Sequence, residues 1–156
     1  MRRTDREIKD KSIIVQVMKS CHCCRLGLID DGRVYIVPLN FGEIIDEQNI
    51  TLYFHCAKEG RKIELIRKNS NIGFEMDVNY KLKEAEVACN YSAFYQSIIG
   101  EGIIEIVEDY DEKIKGLNAI MSHVTGKVGY YNDTMTKTVC VLKLTVTKLS
   151  GKQHTM

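Results

Sequence analysis

Apolar and polar positions repeat with two different periods along this chain, and the changes of period mark its elements. Ile50, Leu52, Phe54 and Cys56 alternate with Thr51, Tyr53 and His55, the pattern of a strand with two unlike faces. After a break at Lys58-Glu59-Gly60 the spacing turns helical, with Ile63 and Ile66 on one side and Leu65 beside them. Upstream, Ile13, Ile14, Val17, Met18 and Cys21 predict an amphipathic helix capped by Asp10 or Ser12, a lid over a sheet. A strand over Cys24 to Asp30 runs into the hairpin signal Asp31-Gly32 and returns from Arg33 to Phe41. The return strand is apolar on both faces, which predicts cover on each side. Its Pro38 lacks a ladder donor and so marks an edge, a bulge or a ligand-facing segment.

Downstream, Ile72, Phe74, Met76 and Val78 alternate as a fourth strand, followed by a polar hairpin or loop from Asn79 to Asn90. Phe94 to Val107 reads as one long strand. Gly100 and Gly102 mark a bend in it, or a close approach of backbone or ligand. Asp109 with Glu112 resembles a capping box, and Ile114, Leu117, Ile120, Met121 and Val124 give the helix behind it its apolar stripe. Thr125 to Thr136 has little period. Cys140, Leu142, Leu144 and Val146 form a last strand before a polar tail. About six strands, few helices and hairpin-like connections predict an α+β, mainly β, antiparallel barrel. It occupies a single domain, residues 1–151, with 152–156 as the tail.

Charge narrows the function. The 22 Lys and Arg balance 21 Asp and Glu, so no excess points to nucleic acid or to an acidic membrane surface. No apolar run approaches the roughly 20 residues of a membrane span. The opening MRRTDREIKDK lacks the apolar region of a signal peptide, so a cytoplasmic protein is expected.

Chemistry is sparse. There is no catalytic triad, paired-carboxylate motif, Walker loop or G-x-G-x-x-G, so an enzyme of this kind would draw its chemistry from a cofactor. Gly60, Arg61 and Lys62 stand where a turn opens a helix. Free N–H groups, the positive end of the helix dipole and two cations make a phosphate seat there, or else an ordinary solvated helix start. His55, opposite Leu52 and Phe54, can point to the same place. Asn40, polar in an apolar run, either satisfies backbone or meets a ligand. Cys21-His22-Cys23-Cys24 contains C-x-x-C, but it follows a helix rather than opening one, and no second ligand pair for zinc is apparent. Cys56 and Cys140 share registers with apolar residues and read as small core hydrophobes.

Five segments in order carry a resemblance: Arg25-Leu26-Gly27-Leu28, Val37-Pro38-Leu39-Asn40-Phe41-Gly42, Leu52-Tyr53-Phe54-His55, Glu59-Gly60-Arg61-Lys62 and Ser97-Ile98-Ile99-Gly100-Glu101-Gly102. Together they resemble the nitroimidazole-resistance proteins, a branch of the pyridoxamine 5′-phosphate oxidase-like flavoproteins, from Arg2 to about Gly151. The resemblance implies a six-stranded antiparallel split β-barrel with flanking helices. It also implies a homodimer with FMN, or alternatively FAD, bound across the subunit interface. Val37, Pro38, Leu39 and Asn40 would line the flavin ring, His55, Arg61 and Lys62 would hold the phosphate, and Ser97 would reach in from the other subunit. The implied function is a flavin-dependent reductase acting on nitro-aromatic or related small molecules, with NAD(P)H as a donor.

Two departures qualify it. The oxidases proper hold their substrate phosphate with Trp and Arg near the C-terminus. This chain has 0 Trp and ends its last strand Leu149-Ser150-Gly151-Lys152, which argues against oxidation of pyridoxamine phosphate. Cys56 stands where relatives often carry Ser. His22, His123 and His154 fall outside the matched motifs, and the ring wall Val37 to Asn40 offers no titratable side chain. The alternatives are a non-catalytic flavin- or heme-binding protein and, from another class, a redox or metal sensor using Cys21, Cys23 and Cys24.

Overall fold

Long strands dominate because the β-branched and aromatic runs are separated only by short polar turns. The computed structural model describes residues 3–155. The strands are β1 (Glu7–Ile8), β2 (Cys24–Asp30), β3 (Arg33–Leu39), β4 (Gly42–Ile45), β5 (Ile50–Cys56), β6 (Asn71–Lys83), β7 (Ser92–Val107) and β8 (Cys140–His154). The helices are α1 (Lys11–Ser20), α2 (Arg61–Lys68), α3 (Tyr110–Thr125) and α4 (Asp133–Thr138). None of the described helices is long and apolar enough to cross a membrane.

All pairings are antiparallel, in the order β3-β2-β6-β7-β8-β5-β4, with β1 added to β8. The mainly β, α+β class is as expected. The strand count is not: the sheet has 8 strands rather than six. The extra two, β1 and β4, span 2 and 4 residues, too short to show a period of two. Nor does the sheet close, since its end strands β3 and β4 pair with β2 and β5 and not with each other. Yet only Asn40 and Phe41 connect them. Three Cα steps reach at most about 11 Å, so the sheet must curl until its two edges lie side by side. The result is a barrel with an open seam.

The large core fills the curl. Leu26, Leu28, Phe41, Leu52, Phe54, Phe74, Met76, Ile98, Ile104, Leu142 and Leu144 are buried there. Ile14, Val17 and Met18 of α1 and Ile63, Leu65 and Ile66 of α2 pack against them. Phe74 explains Gly100. A Cβ at Gly100 would lie 2.2 Å from the Phe74 ring, so the ring occupies the missing side chain's place. The bend expected nearby is a register shift between Glu101 and Gly102 against β8.

A smaller core lies outside the sheet, where Leu117, Ala119 and Ile120 of α3 cover Tyr53, Val107 and Val141. Tyr53, anticipated on a polar face, is therefore buried on both counts of the strand: Leu52 and Phe54 face inward, Tyr53 faces α3. Cover on each side was expected of β3 and is missing on one: Val34 is 73% and Ile36 62% exposed, and β3 is an edge. Pro38 at that edge forfeits no inner ladder bond.

Three boundaries moved. β6 runs past Asn79 (φ 61) to Lys83, with a register shift between Val78 and Lys81. The connection after α3 contains α4, capped by Asn132. The anticipated tail is the end of β8, paired with β7 as far as His154.

Candidate functional site

The seam of the curled sheet carries a groove of about 500 Å³ lined by His22, Cys23, Pro38, Leu39, Asn40 and His55. It draws on two ends of the sheet: Pro38 and Leu39 belong to the edge strand β3, Asn40 follows it, and His55 lies on β5, next to the other edge strand β4. Four of the anticipated residues therefore meet in one place. Val37 does not line the groove; it packs against the core, as strand alternation requires of the neighbour of an exposed Pro38. Asn40 resolves one ambiguity, because its amide donates to the His22 carbonyl at 3.1 Å and holds that segment as a wall.

His22 and Cys23 were not anticipated here. Val37 to Asn40 themselves offer no titratable side chain, but His22, Cys23 and His55 line the same groove as Pro38, Leu39 and Asn40. The signal was present in Asn40, a polar residue ending an apolar strand, whose partner had to lie close in space. The Asp31-Gly32 hairpin register, carried one step past Cys24–Leu39, sets Cys23 and its neighbour His22 beside Asn40.

The start of α2 lies between the same edges. Gly60 precedes the helix with φ 122 and makes no side-chain cap. α1, α3 and α4, by contrast, are capped by Asp10, Asp109 and Asn132. Arg61 reaches toward the β2–β3 hairpin, stacking 4.5 Å over the Tyr35 ring and pairing with Asp30 at 2.5 Å. Lys62 lies beside Cys56 on β5. The two cations anticipated as a phosphate seat are present, and Arg61 already has a carboxylate partner. That pair is more than half exposed on the arginine side, so it holds only weakly.

Ser97 sits two strands from the groove wall. On β7 it pairs with Asp77 and Lys152, and the Arg25–Glu75 register carried two residues further sets Asp77 opposite Cys23. Ser97 is therefore about 10 Å across the sheet from Cys23. Ile29, Val34, Ile36, Ile99 and Ile103 are all at least half exposed and lie on β2, β3 and β7 of the sheet. An apolar hollow of about 360 Å³ sits among them, lined by Gly27, Val34, Ile36 and Gly73 with Arg25 and Glu75 at its rim.

The cysteine cluster does not assemble. Cys21 donates to the Val17 carbonyl at 3.2 Å, and burial pushes its thiol up to about 12. Burial raises Cys24 as well. Among the described residues, no group of three or more His, Cys, Asp or Glu is arranged to hold a metal ion.

His123, on α3, has a structural position. Its ring is 3% exposed, packs 4.4 Å from Phe41, and places Nδ1 2.6 Å from Glu43 and Nε2 2.7 Å from the Cys21 carbonyl. A carbonyl only accepts, so Nε2 carries hydrogen. A second hydrogen on Nδ1 then satisfies the carboxylate, and the hydrogen bond to Glu43 raises the His123 pKa against the effect of burial.

Comparison with known proteins adds the following. The family model described as pyridoxamine 5′-phosphate oxidase matches residues 10–153. No curated protein matches significantly. Among solved structures, a candidate 5-nitroimidazole antibiotic resistance protein from Bacteroides thetaiotaomicron is 35% identical. The match covers 94% of this chain and 85% of that one, with a TM-score of 0.82. A flavocytochrome from Azotobacter vinelandii shares the fold at 17% identity, covering 100% of this chain and 72% of that one (TM-score 0.81). An FAD- and heme-binding protein from Mycobacterium smegmatis does so at 16% identity, with 97% and 74% covered (TM-score 0.84).

Proposed function

As the chain belongs to the pyridoxamine 5′-phosphate oxidase family, we propose that it binds a flavin in the seam groove and serves as a flavin-dependent reductase of nitro-aromatic or related small molecules. The observation that carries this reading is the meeting of Pro38, Leu39, Asn40 and His55 in one groove, with an uncapped, doubly cationic helix start between the same sheet edges. FMN suits it better than FAD, because the seat offers two cations and one set of free helix N–H groups, enough for a terminal phosphate. The 35% identity to a candidate nitroimidazole-resistance protein supports nitro-aromatics as the substrate class.

Each residue has a physical task. Pro38 and Leu39 offer an apolar edge to a planar ring, and Asn40 keeps that edge against the His22 segment. Lys62 and the α2 amides neutralise the phosphate, with Arg61 turning from Asp30 to join them. A bound flavin would supply the two-electron redox chemistry. His22 and His55 are placed to hand a proton to a reduced substrate, a role that pure position and electrostatics would leave to water.

The functional unit is a homodimer. The exposed isoleucines and Val34 on the sheet are the kind of surface a second copy covers. The deciding experiment is a titration with FMN followed by NAD(P)H. Saturation at one FMN per chain in a sedimenting dimer, then bleaching by NAD(P)H and recolouring by a nitroimidazole, is expected. A yellow dimer that NAD(P)H does not bleach would leave a binding protein without this activity. Failure to bind FMN would end the reading.

A second reading rests on His22 and His55 facing one groove. Two imidazoles there could ligate heme. Hemin that binds with a sharp Soret band lost in the His22→Ala variant would favour it over flavin.

A further inference from the structure

We propose that Cys56 and Cys140 form a reversible dithiol–disulfide pair, a thiol-oxidation site built into the β5–β8 ladder in which Cys56 is the attacking thiol. The two residues are directly opposed across the antiparallel pair, Cys56 to Cys140. Opposed residues in such a ladder have Cα atoms about 4.5–5.5 Å apart, within the roughly 4.4–6.8 Å a disulfide requires. Their side chains leave the same face of the sheet. This was not visible in sequence, where 84 positions separate them (140 − 56 = 84).

The pair is asymmetric in the way exchange chemistry needs. Both thiols are free; Cys56 is partly exposed and Cys140 is 6% exposed. The neighbouring Cys140 thiol and the Lys62 ammonium both draw Cys56 below the ordinary thiol range despite burial. Cys140, beside that sulfur and buried, is held above it and directs its hydrogen to the Val141 carbonyl. A partly exposed thiolate with a cation beside it and a protonated partner behind it is the arrangement of an attacking and a resolving cysteine. Cys21 and Cys24, both buried and raised, lack every element of it.

The oxidant is a low-molecular-weight disulfide, R–S–S–R. The Cys56 thiolate attacks one sulfur, the R–S–S–R bond breaks, and one R–S⁻ leaves with the electron pair of that bond. Cys140 then gives up its proton, attacks the Cys56 sulfur of the mixed disulfide and expels the second R–S⁻. The two thiol protons end on the two released thiolates, and two electrons have passed from the protein to R–S–S–R. The reverse exchange with a small thiol restores the pair. No flavin is required for the exchange; the two readings share Lys62, which neighbours Cys56 here and faces the phosphate there.

The test uses the full chain and 2-hydroxyethyl disulfide, followed by peptide mass mapping without reductant. A Cys56–Cys140 linked peptide should form, lose its link on adding dithiothreitol, and form unchanged in a variant with Cys21, Cys23 and Cys24 all replaced by Ser. Cys140→Ser should trap the hydroxyethyl adduct on Cys56, on the order of tenfold faster than Cys56→Ser traps it on Cys140. Recovery of Cys56 and Cys140 as free thiols, while other cysteines are oxidised, would overturn the proposal. The wild-type map alone decides this, whether or not the single variants fold.

Discussion

α2 and α3 begin alike, each after a strand and a short polar turn, and end up opposite in character. α3 is satisfied by its own chain. Asp109 accepts from the Glu112 amide at 2.8 Å. Tyr53 donates to the Glu112 carboxylate at 2.5 Å, with Lys143 3.4 Å from the same oxygen. His123 ties its far end to Glu43 and the Cys21 carbonyl, and Gly126 closes it in the left-handed region. α2 starts on Gly60 with no cap and puts two cations where α3 puts Asp111 and Glu112. A helix start that consumes its own donors is structural; one that leaves them open beside like-signed cations is suited to an outside anion.

Removing both cations should break the contrast most severely. In Arg61→Ala/Lys62→Ala, loss of two charge-assisted contacts worth about 1.5–3 kcal/mol each should weaken FMN binding roughly a hundredfold or more. Fluorescence titration reads this, and unchanged affinity would make the start of α2 a mere solvated end. Asp109→Ala tests the other side. It should cost about 1 kcal/mol in urea unfolding and leave FMN affinity alone.

The far end of α3 sharpens the comparison through pH. The raised pKa of His123 means that its contribution to stability is complete below the ordinary imidazole value of 6.5 and fades as pH climbs through the folded-state value. Urea midpoints should therefore fall on the alkaline side in the wild type, and His123→Gln should flatten that slope. The smallest effect is expected at Asp30. Freeing Arg61 from an exposed pair worth about 0.2–1 kcal/mol, as in Asp30→Asn, should strengthen FMN binding by a few fold at most.

Local patterns carried the reading where a residue's neighbours in space are also its neighbours in sequence. The Asp31-Gly32 hairpin, the Asp109 cap and the break at Gly60 all stood in a dozen residues or fewer of context, and β7 in a single run. What escaped was set by distant partners. β1 is a strand only because Ile8 meets Gly151, and the supposed tail is one only because β7 extends to pair with it. The Glu112 side chain, read as half of a capping box, was claimed instead by Tyr53, 59 positions away. In the site, Pro38, Leu39, Asn40 and His55 were legible through resemblance. His22 and Cys23 needed the β2–β3 hairpin register carried past its strands, and the Cys56–Cys140 pair needed the β5–β8 ladder.

That curl has a consequence for how the molecule comes into being. β4 and β5 join the rest of the sheet only through β8, the last strand in chain order. A nascent chain therefore presents both walls of the groove early, yet β5 has no strand partner besides β4 until His55 finds Val141. Such distant pairing is slow, because the loop between partners must close before any contact rewards it. The groove is the last part of the molecule to be born, and whatever binds there stabilises the strand that arrives last.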